Sequence, residues 1–367
     1  MLVRIKNFIR QELVLCASLV LATASSLFNA PEASYIDWQV LGVLLALMLV
    51  VGGLKSVRLL DYLALQLLCR CHTYRQVVLA LTGVTFAASM LVTNDVALIT
   101  FVPLALIIGK RAQLDMAQVI IWQTLAANLG SMLTPCGNPQ NLFLYAHYDY
   151  TAAGFFGVMT LPTLLSALLL GLLIYRHRSG KLHIDLPALP QPDVRLTVAY
   201  ILLLILNLAA VLHVIDKLLA LAVTAAVIAA LNRRLFAQVD YVLLLTFTGF
   251  FIFTGNISHT GAVDYLRGTL GTAAGTYAAG LAASQFISNV PAAMLLAGFT
   301  NEADALLLGV NIGGLGTLIA SMASLISYKL FATEHPYQAG SYLKMFLYYN
   351  ITGLLLLGGA VYGLCIR

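Results

Sequence analysis

The chain has 367 residues, of which 60% are hydrophobic and 10% charged, with a formal net charge of +5 and a mean hydropathy of +0.91. So few charges cannot cover a globular surface, which puts the chain outside the soluble range and reads as an all-α polytopic membrane protein. The lipid bilayer is its first partner, and the basic excess reflects loop asymmetry rather than nucleic acid. The five cysteines (Cys16, Cys69, Cys71, Cys136, Cys365) form no paired framework. Cys69-Arg70-Cys71-His72 supplies at most three metal ligands without a distant partner pair, so no cofactor is read from it.

In chain order, Arg4, Lys6 and Arg10 precede an apolar run at 12–28 that lacks a small-residue cleavage site and reads as a retained helix. A second span is expected at 37–54, a hairpin at 76–109, a broken helix at 116–148 and a span at 155–175. Residues 176–195, with Pro187, Pro190 and Pro192, form the only long linker. Spans follow at 196–215, 218–231 and 240–256, then a hairpin at 273–299, a broken helix at 305–330 and a last span at 341–364. The breaks are expected because Pro135, Gly137 and Pro139 in the first cannot continue a helix, and Gly313, Gly314 and Gly316 loosen the second.

Lys and Arg accumulate in cytoplasmic loops. With the N-terminus inside and both hairpins entering and returning without crossing, all 20 Lys and Arg except Lys217, Arg267 and Arg367 fall inside. Arg75 and Lys110-Arg111 flank the first hairpin at both ends, as a re-entrant hairpin requires. The C-terminus is then outside.

An internal repeat supports this layout. Asp61-Tyr62-Leu63 recurs as Asp264-Tyr265-Leu266, and Asn128-Leu129-Gly130 with Thr134 recurs as Asn311-Ile312-Gly313 with Thr317. Thr93-Asn94-Asp95 matches Ser288-Asn289-Val290, and amphipathic surface segments are expected at 59–70 and 259–270. The division is a first inverted repeat over 1–175, a cytoplasmic linker and connecting helix over 176–215, and a second inverted repeat over 216–367. Inverted repeats with broken helices meeting at the midplane are the architecture of secondary transporters.

The chemistry should lie at the hairpin tips and breaks. Thr93 and Asn94 at one tip, and Ser288 and Asn289 at the other, offer donors and acceptors without charge. Asp95 is the one acidic residue of 15 that this topology places at membrane depth. Burying an unpaired carboxylate costs several kcal/mol or forces its protonation, so Asp95 reads as a cation ligand or a proton-titrating group, with a structural cap as the plainer alternative. At the breaks, Thr134, Asn138 and Asn141 correspond to Thr317, Ser321 and Ser324. Freed carbonyls with hydroxyl and amide oxygens suit Na⁺, while helix N-termini suit an anion. The substrate set is therefore Thr93, Asn94, Asn128, Gly137, Asn138, Asn141, Ser288, Asn289, Asn311, Gly313, Thr317 and Ser321. The coupling-ion set is Asp95, Thr134, Asn138 and Ser324, with Na⁺ at the tips and breaks or H⁺ as the ion. A thiolate role for Cys136 toward a soft substrate is the less favoured reading of a buried cysteine. The chain shows no nucleophile–base set or phosphate loop, so no enzymatic activity is read from it.

The paired tips and breaks resemble the ion transporter superfamily, which includes divalent anion:sodium symporters, citrate transporters and arsenite permeases. The resemblance implies a homodimer whose two transport domains move across the bilayer like elevators. The dicarboxylate branch carries Ser-Asn-Thr at both tips, whereas this chain has Thr93-Asn94-Asp95 and Ser288-Asn289-Val290-Pro291, closer to the arsenite and citrate permease branches. The function expected is secondary-active transport of a small anion in the bacterial inner membrane. A sodium/proton antiporter without an anionic substrate is the second expectation.

Overall fold

The computed structural model describes residues 12–176, 179–181, 191–258 and 270–366. Among the described residues there is no β-strand beyond one isolated bridge, Thr73 to Lys181, and the regular elements are helices. The helices in order are α1 (Leu13–Ser26), α2 (Trp38–Ser56), α3 (Leu59–Leu68), α4 (Tyr74–Val92), α5 (Asn94–Ala112), α6 (Ala117–Ser131), α7 (Pro139–His147) and α8 (Ala152–Tyr175). They continue as α9 (Val194–Val211), α10 (Lys217–Asn232), α11 (Tyr241–Ser258), α12 (Ala273–Ile287), α13 (Asn289–Ala297), α14 (Ala303–Ile312), α15 (Met322–Glu334) and α16 (Ala339–Val361). Each expected break therefore separates two helices, α6 from α7 and α14 from α15.

Helix starts follow local chemistry. Thr73 and Gln76 form a reciprocal capping box at α4, and Asp37, Thr151, Asp216 and Thr272 accept backbone N–H groups at α2, α8, α10 and α12. Among the described residues six helices are long and apolar enough to cross a membrane, including α4 itself, whose 19 residues extend about 28 Å. The expected spans at 12–28 and 240–256 form shorter apolar helices. The first amphipathic segment is helical as α3, while Asp264-Tyr265-Leu266 lies outside the described residues.

The packing is crossed between the two halves. α1 lies against α11 and α2 against α10, while α4 lies against α6 and α12 against α14. The second arm of each hairpin also packs on the other half: α5 touches α15, and α13 touches α7. This brings the start of α5, α7, α13 and α15 toward one region. A smaller core of Leu49, Val50, Leu54, Tyr200, Ile228 and Val239 receives Val92 from the first hairpin tip. At one end Tyr150 donates to Asp304 Oδ1 at 2.6 Å and Tyr148 to the Thr300 carbonyl at 2.9 Å, tying the end of α7 to the start of α14. Burial, followed by the bond to Asp304, pushes the Tyr150 phenol up in pKa and keeps it a donor.

Gly137 shows how tightly the first break is folded. A Cβ there would lie 2.0 Å from the Ser131 carbonyl oxygen, which no side-chain movement can relieve. Gly157 on α8, by contrast, has nothing within 4 Å of such a Cβ. Gly137→Ala should therefore lower the melting temperature of the detergent-purified protein, by an overpacking cost of about 1–3 kcal/mol. Gly157→Ala should leave it unchanged or raise it slightly, as expected of an unobstructed helical site; equal effects at both positions would contradict the packing described.

Candidate functional site

The hairpin tips have the same backbone shape. Thr93 and Ser288 each adopt φ 73°, ψ 152°, and the next residue begins a helix. A non-glycine residue at positive φ is strained, and the same strain at two matched positions marks a required geometry. The turn is thus one residue, and Asn94 and Asp95, expected within it, are the first two residues of α5. Likewise Asn289 opens α13.

Behind each tip a threonine from the adjacent break holds the end of the first arm. Thr134 Oγ1 donates to the carbonyl of Met90, and Thr317 Oγ1 donates to the carbonyl of Gln285 at 2.9 Å. Met90 and Gln285 each stand three residues before their tip, so the two bonds are equivalent and satisfy helix-end carbonyls that have no helical partner. Cys136 Sγ also points at the Met90 carbonyl, at 3.5 Å, and so belongs to this latch. Thr134 and Thr317, expected as ion and substrate ligands, spend their hydroxyl protons here.

The asparagines and serines of the breaks cross from one half to the other. Asn128 Oδ1 accepts from Ser321 Oγ at 2.9 Å and from Asn94 Nδ2 at 3.1 Å, while its Nδ2 donates to Ser324 Oγ and the Gly314 carbonyl, both at 3.4 Å. In the mirrored direction, Asn311 Oδ1 accepts from Asn138 Nδ2 at 3.2 Å and its Nδ2 donates to Asn141 Oδ1 at 2.6 Å. Ser131 joins the two sets, since its Oγ accepts from Asn138 Nδ2 at 3.2 Å and donates to the Asn128 carbonyl at 3.0 Å. The Asn94 N–H donates to the Gly137 carbonyl at 3.1 Å, docking the first tip on the first break. Asn94, Asn128, Asn138, Asn141, Asn311, Ser321 and Ser324 are each at most 4% exposed.

The second tip is joined more loosely. Asn289 is as buried as Asn94, and its side chain lies against Gly314, where a Cβ would approach Nδ2 to 2.8 Å. Its Oδ1 accepts from Ser288 Oγ at 3.5 Å. Gly313 contributes its carbonyl, which accepts from Gln285 Nε2 at 2.9 Å, and Gly316 turns the chain at φ 106°, a region that suits glycine. Asp95 is not drawn into the network. Its backbone N–H meets Asn94 Oδ1 at 3.0 Å, and its carboxylate Oδ1 is buried with no hydrogen-bond partner.

Gln285 and Ser131 belong to the bonded polar centre, and the sequence reading did not name them. Gln285 matches Met90 in the first half, so comparing the repeats does not single it out. Ser131 stands three residues after Asn128 on the same helical face, a spacing that could have shown it. Beside the network, an apolar groove lined by Leu125, Leu129, Leu170, Tyr349 and Leu356 contains none of these residues. Among the described residues the buried polar side chains of the centre are Ser, Thr, Asn and Gln, without Lys or Arg, and the carboxylate beside them is that of Asp95.

Removing a crossing residue should cost more than removing a local one. Asn311→Leu leaves the side chains of Asn138 and Asn141 short of a partner, about 1–3 kcal/mol for each orphaned group. Asn350, equally buried, bonds only the Phe346 carbonyl of its own helix. Thermal unfolding in detergent should therefore fall much further for Asn311→Leu than for Asn350→Leu, and equal losses would deny the crossing bonds their weight.

Comparison with known proteins agrees with the geometry. The chain is 32% identical over 317 residues to an uncharacterized transporter of Methanocaldococcus jannaschii, covering 85% of this chain and 86% of that one. It is 32% identical over 305 residues to the inner membrane protein YbiR of Escherichia coli, covering 80% of each. The crystal structure of the Alcanivorax borkumensis YdaH transporter matches 92% of this chain and 88% of its own with a TM-score of 0.56 at 18% identity, which is a likeness of fold. The citrate transporter family model matches residues 1–326, and the chain belongs to this family of membrane transporters.

Proposed function

We propose that the protein is a secondary-active transporter of a small anion, an organic carboxylate or an inorganic oxyanion, coupled to Na⁺ or H⁺. The observation that carries this reading is the polar centre of Asn and Ser side chains, without Lys or Arg, where α5, α7, α13 and α15 begin. The positive ends of the four helix dipoles, each equivalent to roughly half a charge, together with Asn and Ser donors, can hold an anion without Lys or Arg. In this structure the Asn and Ser groups bond one another, so a solute has to replace those bonds. Exchange of one polar set for another in a dry interior is near balance, which suits a carrier that must also release.

In this reading the hairpins enter and return without crossing, the tips gate the centre, and the chain forms a homodimer in which a scaffold holds two transport domains that move across the bilayer like elevators. The membrane is the bacterial inner membrane, with the N-terminus cytoplasmic and the C-terminus outside; the E. coli relative's name supports the membrane assigned. Asn94, Asn128, Asn138, Asn141, Asn289 and Asn311 contact the solute, and Asp95 carries the coupling ion. The sodium/proton antiporter reading draws its support from Asp95 alone, whose buried Oδ1 has no partner.

Uptake of candidate anions into proteoliposomes tests both. Asn289→Ala should abolish uptake, and Asp95→Asn should remove its dependence on the ion gradient; unaltered transport in both variants would end the proposal. In everted vesicles, dissipation of a proton gradient by Na⁺ alone, with no anion added, would favour the antiporter.

A further inference from the structure

The carbonyls freed by the two breaks already have a donor among them. At the first break, Asn141 Nδ2 lies 3.1 Å from the Met132 carbonyl oxygen, 3.1 Å from that of Thr134 and 3.5 Å from that of Ser131. At the second, Gln285 Nε2 lies 2.9 Å from the Gly313 carbonyl oxygen, 3.0 Å from that of Leu315 and 3.2 Å from that of Leu281. Amide orientation is normally an assignment. Here it is forced, because turning either group would aim its oxygen at carbonyl oxygens. The turn would also withdraw the acceptor from Asn311 Nδ2, at 2.6 Å, or from the Thr317 N–H, at 3.0 Å.

Several oxygens converging on one electropositive group is the environment a hard cation occupies. The two nests reach it from non-equivalent positions. Asn141 lies after its break, where the second half has Ser324; Gln285 lies on a hairpin arm, where the first half has Met90. Since the repeat does not generate this likeness, the carbonyl clusters themselves must require a donor. An unsatisfied carbonyl in a dry interior costs about 1–3 kcal/mol, and each nest holds more than one.

We propose that Asn141 and Gln285 are built-in cation surrogates, so that neither helix break binds Na⁺. This rests on the transporter reading and narrows it: the coupling cation is not held by the broken-helix carbonyls, and Asp95 is the group left to take it. Asn141 and Gln285 are then specificity-determining residues, fixing which cation sites the protein lacks.

Isosteric acids test this. In Asn141→Asp the outer oxygen replaces an N–H donor among carbonyls while Oδ1 still faces Asn311, and in Gln285→Glu the same exchange preserves the Thr317 contact. The melting temperature of purified protein would be measured in NaCl and choline chloride at about pH 9, where the new carboxyl is ionised, in an Asp95→Asn background that removes that group's own contribution. Asp95→Asn alone should melt at the same temperature in both salts. The two acid variants should be destabilised in choline and regain several degrees as Na⁺ is titrated to saturation. Saturable stabilisation of Asp95→Asn by Na⁺ would overturn the proposal, as would acid variants indifferent to Na⁺; if those variants fail to fold, the Asp95→Asn titration decides alone. Failure of every anion in the uptake assay would defeat the transporter reading and leave this cation measurement standing.

Discussion

A helix broken inside an apolar body leaves backbone N–H and C=O groups that lipid cannot satisfy, and most of what surrounds the polar centre answers that constraint. Thr134 and Thr317 satisfy the carbonyls at the ends of the hairpin arms. Asn141 and Gln285 satisfy the carbonyls of the breaks, and the Gly137 carbonyl receives the first N–H of α5. Once these demands are met, the side chains of Asn94, Asn128, Asn138, Asn289, Asn311, Ser321 and Ser324 make up the rest of the polar centre. A polar group that repairs backbone and one that binds solute look alike in sequence.

The crossed arrangement explains why the two halves act as one body at this point. Asn128 reaches Ser321 and Ser324, and Asn311 reaches Asn138 and Asn141, so neither half can form its centre alone. The hairpins repeat the pattern on a larger scale, with α5 against α15 and α13 against α7. Interfaces this polar in an apolar setting are held by hydrogen bonds and close packing rather than by the hydrophobic effect. The exception to symmetry is charge: Asp95 has Val290 as its counterpart, so one tip carries a carboxylate and the other none.

That asymmetry bears on how a neutral site can handle an anion. Fixed dipoles attract an anion less strongly than a lysine would, and they do so without a buried positive charge that has to be neutralised when the site is empty. The Asn and Ser side chains of the centre bond one another, so in the proposed reading a solute would exchange partners rather than fill a hole. The strained tip residues Thr93 and Ser288, at positive φ, each follow by three residues a carbonyl bonded by a threonine of the adjacent break.

The sequence by itself determined the class, the helix order and where the helices break. Apolar run length and the spacing of proline and glycine placed the hairpins and breaks to within a few residues, because those signals act on the local backbone. The Asn128 and Asn311 motifs identified the centre because a repeat displays its constraints twice. Only the tertiary structure decided which polar residue serves which partner. The Thr134 hydroxyl bonds the Met90 carbonyl, the Asn141 amide lies among three break carbonyls, and Gln285 and Ser131 entered with no repeat signal at all. The physical reason is that hydrogen bonding across the two halves depends on distance and direction between residues far apart in the chain, and local pattern carries neither.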